Sequence, residues 1–109
     1  HFLLMDEPFS GLDCLAIDEV IRLIGEVSVS PELNTTIVVT HDIAAAIEIA
    51  DHIWLLGRDH DAQGQVIPGA RIQNEFDLIE RGLAWRDGIA TEPAFQELLQ
   101  EIRLRFVTL

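Results

Sequence analysis

Short apolar runs and helix-spaced apolar residues alternate along the first half of this chain. Residues 2–5 form an apolar run, residues 35–40 are rich in β-branched side chains, and residues 53–56 form a third run. Runs of this length and composition are typical of strands, and strands without polar alternation are usually covered on both faces, as in parallel sheets. The pattern therefore predicts three buried strands.

Two helices are predicted between these strands. Asp13 is a suitable N-cap for a helix that runs to about Ser28, and a second helix covers residues 43–50, with its N-cap at Thr40 or Asp42. The order strand, helix, strand, helix, strand predicts an α/β layer built on parallel strands with right-handed crossovers. Apolar residues recur at helical spacing in the first of these helices: Leu15, Ala16, Val20, Ile21, Ile24 and Val27.

The second half of the chain has a different pattern. Residues 58–64 form a polar loop, and residues 65–68 are compatible with a short strand that makes a hairpin with residues 53–56. Residues 72–79 are short and fit helical spacing, so helix and strand both stay open there. A Thr-Glu-Pro sequence predicts the start of a helix over residues 93–105, with the proline in its first turn. This helix is expected to bury five apolar side chains: Phe95, Leu98, Leu99, Ile102 and Phe106.

Charge and composition narrow the possible functions. The 109 residues, enough for one domain or part of one, carry 19 acidic and 7 basic residues, for a net charge of -12, and every basic residue is an arginine. This balance argues against a nucleic-acid-binding surface, which needs clusters of Lys and Arg. A phosphate-binding P-loop within these residues is excluded too, because that loop requires a lysine. The single cysteine, Cys14, permits no internal disulfide.

Two adjacent carboxylates, Asp6 and Glu7, follow the first apolar run. Strand alternation would send their side chains to opposite sides, so that one can hold a metal ion or its water while the other handles a proton or an attacking water. An isolated Asp-Glu pair at a strand end is more often a solvated turn or a helix cap. Here Pro8 and the Ser-Gly-Leu-Asp sequence that follows favour the functional interpretation.

These residues carry a resemblance to a known family. Residues 3–13, Leu-Leu-Met-Asp-Glu-Pro-Phe-Ser-Gly-Leu-Asp, resemble the Walker B strand and D-loop of ABC-type ATPases, and residues 40–42, Thr-His-Asp, resemble their H-loop. Residues 46–56 are similar to the helix and strand that come next in that family. The resemblance implies an α/β fold with part of a P-loop NTPase-type parallel sheet flanked by helices. Residues 1–57 would be the C-terminal part of the ATPase core, and residues 58–109 a C-terminal hairpin and helical extension, similar to that of the nitrate, sulfonate and taurine importer subgroup.

The resemblance also assigns roles to individual residues. Asp6 would hold Mg²⁺ through water, and Glu7 would polarise the water that attacks ATP. His41 resembles the switch histidine that contacts the γ-phosphate. Ser10 and Asp13 belong to the D-loop, which meets a second ATP-binding subunit across an ATP-sandwich dimer; for Asp13, an N-cap role and a dimer contact are both open. Gly11 departs from the family's pattern, since alanine is commoner there.

The function implied is the C-terminal portion of the ATP-binding subunit of an importer, which couples ATP hydrolysis to uptake of a solute such as nitrate, a sulfonate or taurine. Permease subunits would be its membrane partners, and its place would be peripheral, on the cytoplasmic side of the plasma membrane. The P-loop, the glutamine loop and the Ser-Gly-Gly signature segment are absent from the 109 residues. We therefore expect this chain alone to bind ATP weakly or not at all.

Two other interpretations remain. A soluble ABC-type ATPase of DNA repair or translation would have the same H-loop and D-loop, although the lysine-free composition and the importer-like tail argue against it. A non-catalytic interaction domain could keep the sheet without the site. The presence of Asp6, Glu7 and His41 argues against that possibility.

Overall fold

The computed structural model describes residues 2–29, 35–84 and 88–107. Their regular elements follow the predicted order along the first half, and the hairpin and the final helix follow in the second. The elements are strand β1 (Phe2–Asp6), helix α1 (Cys14–Ser28), strand β2 (Thr35–Val39), helix α2 (Ile43–Ile49), strand β3 (His52–His60), strand β4 (Val66–Asp77), a short 3₁₀ helix (Ile89–Thr91) and helix α3 (Pro93–Phe106).

Strands β1 and β2 form a parallel pair in which Asp6 lies opposite Val39. One face of this pair packs through Met5 and Val38 against buried side chains of α1 and α2. No described element covers the other face, and Phe2 remains 68% exposed. The prediction that the first strand is covered on both faces is therefore wrong, because the described helices that contact this pair lie on one face.

The third strand does not extend the parallel pair. Within the described residues β3 pairs antiparallel with β4 in a separate two-stranded sheet, so the expectation of a third parallel strand is wrong. A hairpin at this point is confirmed, but its second strand is Val66–Asp77 rather than residues 65–68. For residues 72–79 both helix and strand were open. The residues as far as Asp77 form a strand, because they pair with β3. Phe76 is buried opposite Ile53, a contact that local spacing does not reveal.

Helix α2 is packed on two sides. Ala45 and Ile49, four residues apart, face the cluster beneath β1 and β2, whereas Ile47 belongs to a second and larger core. Helix α2 is therefore held by both cores. The second core consists of Ile47, Ile53, Leu55, Phe76, Leu78, Leu83, Ile89, Phe95, Leu98, Leu99 and Ile102.

The predicted helices are confirmed with small changes in their bounds. Asp13 caps α1, and Pro93 lies in the first turn of α3. Four of the five side chains expected to be buried on α3 lie in the core, but Phe106, in the last turn, is exposed. Among residues 2–29, 35–84 and 88–107, no helix is long and apolar enough to cross a membrane.

Candidate functional site

The first strand ends in an unusual turn at Glu7. The backbone of Glu7 has a φ of 51°, in the left-handed region that residues other than glycine seldom adopt. Its amide still donates a hydrogen bond to the carbonyl oxygen of Val39, at 2.7 Å, so the residue stays attached to the end of β2. A strained backbone of this kind persists only where the surroundings hold it, and it is commonest at functional sites.

Glu7 and His41 form an ion pair where the two parallel strands end. The Nδ1 atom of His41 lies 2.8 Å from Oε1 of Glu7, and the backbone amide of His41 donates to the same oxygen at 3.0 Å. Carboxyl ends of neighbouring parallel strands lie at one edge of a sheet, which is why residues so far apart in sequence meet here. The side chain of His41 is 75% exposed and that of Glu7 is 33% exposed, so solvent reaches both groups.

Each member of this pair shifts the pKa of the other. The hydrogen bond from the His41 side chain is the largest effect that lowers the pKa of Glu7, and partial desolvation opposes it. The pKa of His41 is raised, first by its hydrogen bond with Glu7 and then by the charge of that carboxylate. The contact therefore favours an ionised carboxylate beside a protonated imidazole. An ionised carboxylate in hydrogen-bond reach of a water can orient it and accept its proton.

Thr40 contributes a third contact to Glu7. Its hydroxyl oxygen lies 3.4 Å from Oε2 of Glu7 and accepts a hydrogen bond from the amide of Asp42, at 3.0 Å. The sequence-based set of site residues did not include Thr40. The sequence feature that could have identified Thr40 is its position, a hydroxyl residue directly before His41 and at the end of a predicted strand.

Asp42 fixes the other end of this segment. Its side-chain Oδ1 accepts a hydrogen bond from the amide of Ala45, at 3.0 Å, which makes it the N-cap of α2. Of the two predicted caps, Asp42 is the one observed. Residues 40–42 are thus anchored by β2 on one side and by the first turn of α2 on the other.

The remaining predicted site residues lie nearby in the chain but outside the ion pair. Asp6 is the exposed last residue of β1. Ser10 lies in an exposed turn, and its amide donates a hydrogen bond to the carbonyl oxygen of Glu7 at 3.3 Å. Asp13 accepts from the amide of Ala16 at 2.8 Å, so its N-cap role is observed. Over the described part of the chain, the side chains of Ser10 and Asp13 make no hydrogen bond to Glu7 or His41.

Asp6, an exposed carboxylate at the end of β1, can supply one ligand to a metal ion. Among the described residues there is no group of three or more His, Cys, Asp or Glu side chains that could hold a metal. Mg²⁺ at phosphate sites typically takes one or two carboxylates and completes its shell with water and substrate phosphates. A single exposed carboxylate at a strand end fits that kind of site and does not form a metal site of its own.

Similarity to known proteins covers most of the chain, although no family model matches it. Over 86 residues, 73% of this chain, it is 37% identical to the intermembrane phospholipid transport system ATP-binding protein of Escherichia coli (strain K12), 32% of whose length is covered. It is 32% identical over 99 residues, 89% of the chain, to the aliphatic sulfonates import ATP-binding protein of Albidiferax ferrireducens, covering 35% of it. The phosphate import ATP-binding protein of Thermotoga maritima is 43% identical over 56 residues, 51% of the chain and 21% of that protein.

Two points follow from these similarities. The chain spans about a third or less of the length of these curated relatives. All three relatives are named ATP-binding proteins of transport systems, but their names give different solutes: phospholipid, sulfonates and phosphate.

Proposed function

We propose that this chain is the part of an ABC transporter ATP-binding subunit that positions the water attacking ATP. The premise is that the chain is similar to such subunits over most of its length. One observation carries the proposal. Glu7 and His41 are held together at the ends of two parallel strands, where ligands of open α/β sheets bind. The relatives' names support ATP as the nucleotide.

Three residues have distinct roles in this proposal. Phosphoryl transfer depends mainly on positioning and on neutralising charge, so the protein needs to supply few reactive groups. Glu7, whose pKa is lowered by its hydrogen bond with His41, orients the attacking water and accepts its proton. His41 is exposed enough to turn from Glu7 to the γ-phosphate, and Asp6 would hold Mg²⁺. When bound there, the metal ion would neutralise charge on the phosphates.

The groups that grip the phosphates would come from another part of the subunit. A P-loop needs a lysine, and these 109 residues contain none. The matched relatives are about three times as long as the segment shared with this chain. We propose that β1 and β2 belong to a larger P-loop NTPase-type sheet, and that the 109 residues alone do not hydrolyse ATP.

The wider assembly is part of the same proposal. Ser10 and Asp13 would contact a second ATP-binding subunit through the D-loop, and permease subunits would bind the complete protein at the cytoplasmic side of the membrane. Residues 58–109 would form an extension beyond the ATPase core. An organic sulfonate is one of the solutes that the relatives' names give, beside phospholipid and phosphate.

The complete ATP-binding subunit allows a direct test with Glu7→Gln. This change keeps the size of the side chain and removes the charge that orients the water. ATP affinity should stay within about twofold, while turnover falls by about 100-fold or more, as expected on loss of a general base. Glu97→Gln is the matched control, because Glu97 is an exposed glutamate on α3. Normal turnover by the Glu7→Gln subunit would refute the proposal.

A further inference from the structure

We propose that Thr40 is a positioning residue that fixes the orientation of the Glu7 carboxylate for hydrolysis. This inference rests on the proposed function of Glu7 and adds a residue to it. The starting observation is that the two oxygens of the carboxylate have different neighbours. Oε1 contacts the ring Nδ1 of His41 and accepts a hydrogen bond from the His41 amide. Oε2 faces the hydroxyl of Thr40.

Contacts to one oxygen alone leave a carboxylate poorly oriented. The last torsion of a glutamate side chain is broad and roughly two-fold, so the carboxylate plane can turn while Oε1 keeps its partner. A donor on Oε2 opposes this rotation. Thr40, whose Oγ1 lies 3.4 Å from Oε2, is the side chain placed to be that donor.

The hydroxyl of Thr40 is itself oriented. A hydroxyl has one proton to donate and lone pairs that accept. The Oγ1 atom of Thr40 accepts from the amide of Asp42, at 3.0 Å, so its proton is left for Glu7. Asp42 in turn caps α2, and α2 is packed against both cores. A chain of contacts thus runs from the start of α2 through Thr40 to the carboxylate.

This arrangement matters most when His41 contacts nucleotide. If the ring of His41 turns to the γ-phosphate, Oε1 of Glu7 loses its side-chain partner, keeps the hydrogen bond from the His41 amide, and can accept a second one from the attacking water. Thr40 keeps its hold on Oε2, so Oε1 stays directed at that water. The 3.4 Å separation in the present structure is long for a hydroxyl–carboxylate hydrogen bond, and we expect it to shorten in the nucleotide-bound state.

The test compares Thr40→Val with Thr40→Ser in the complete ATP-binding subunit. Valine keeps the shape of threonine and removes the hydroxyl, whereas serine keeps the hydroxyl. Thr36→Val is the matched control, since Thr36 is a threonine of β2 that is half-buried like Thr40 and lies four positions before it. ATP affinity, KM and kcat are measured for each variant, together with Glu7→Gln.

The expected pattern separates positioning from folding. Thr40→Val should lower kcat by about tenfold, as loss of orientation does, while ATP affinity and KM stay within about twofold. Thr40→Ser and Thr36→Val should keep normal kcat. The inference fails if Thr40→Val matches Thr36→Val in kcat, or if Thr40→Ser loses as much kcat as Thr40→Val. In either case a Glu7→Gln variant that binds ATP without hydrolysing it would leave the proposed function intact. A Glu7→Gln variant with normal turnover would refute both.

Discussion

Glu7 and His41, which are 34 positions apart in the sequence, are joined by a 2.8 Å contact between Oε1 of the carboxylate and Nδ1 of the imidazole. The contact exists because two parallel strands end side by side and Glu7 turns into the left-handed region just beyond its strand. The local structure around either residue alone does not bring the two side chains together. The site therefore depends on the correct register of β1 and β2.

The N-cap of α1 can be tested separately from any role in a dimer. Because Asp13 accepts a hydrogen bond from the amide of Ala16, Asp13→Ala should lower the free energy of unfolding by about 1 kcal/mol. Asparagine is an equally good cap, so Asp13→Asn should leave stability unchanged. Urea unfolding followed by circular dichroism measures both. Equal stability of the alanine and asparagine variants would contradict the capping role.

Helix α3 provides a matched pair of leucines for a test of the core. Leu98 is buried in the larger core, whereas Leu104 on the same helix is 61% exposed. Leu98→Ala should reduce the free energy of unfolding by about 2–5 kcal/mol through lost burial and a cavity. Leu104→Ala should change it by less than about 0.5 kcal/mol. Similar losses from the two substitutions, measured by urea unfolding, would show that α3 does not pack as described.

Glu48 should make stability depend on pH. Partial burial, followed by the nearby charges of Asp18 and Asp42, raises the pKa of Glu48 above its ordinary value of 4.5. A raised pKa in the folded state means that folding favours the protonated form. The stability linked to Glu48 is then fully present below its unfolded pKa and is lost as the pH rises through its folded pKa.

Glu48→Gln should therefore raise the melting temperature at about pH 7 and have little effect at about pH 4. Glu97→Gln, an exposed change on α3, is the control and should have little effect at either pH. Differential scanning calorimetry at the two pH values measures the difference. A Glu48→Gln effect that is equal at both would mean that burial and the two aspartates do not destabilise the ionised form.

The open face of the parallel pair should promote self-association of the 109-residue chain. Leu4 lies opposite Ile37 in the register of β1 and β2, and both are exposed. Exposed apolar patches on sheets are common sites of association. Replacing both residues with threonine, which suits strands, should shift the chain towards monomer in sedimentation experiments over a concentration series.

Val29→Thr provides the control for this test, because Val29 is also apolar and exposed but lies after α1. It should leave the association unchanged. An unsubstituted chain that stays monomeric throughout the series would contradict the prediction, as would a Val29→Thr variant that dissociates as readily as the double substitution.

Local patterns predicted the helices well. The spacing of apolar residues and the caps located α1 and α3 almost to the residue, since these signals depend on neighbours within one or two turns. The pattern could not say how much of β1 would be covered. Exposure of Phe2 and Leu4 depends on which elements lie against each face of the sheet, and an apolar sequence is compatible with either outcome.

Long-range pairing explains the other differences. Residues 72–77 join β4 because β3 lies beside them and supplies hydrogen-bond partners. For the site, the motifs identified Glu7 and His41, but they did not identify Thr40 as a neighbour of Oε2. That contact crosses 33 positions of sequence and requires both the turn at Glu7 and the cap of α2.

The most direct test of the account is a double-mutant cycle on Glu7 and His41 in the complete ATP-binding subunit. ATP turnover is measured for Glu7→Gln, for His41→Ala and for the two combined. If the pair acts as one unit, the combined variant should be no more than about threefold slower than the slower single variant, because residues that act together show strongly non-additive effects. Single effects that multiply in the combined variant would show that the two residues act independently, and would contradict the account.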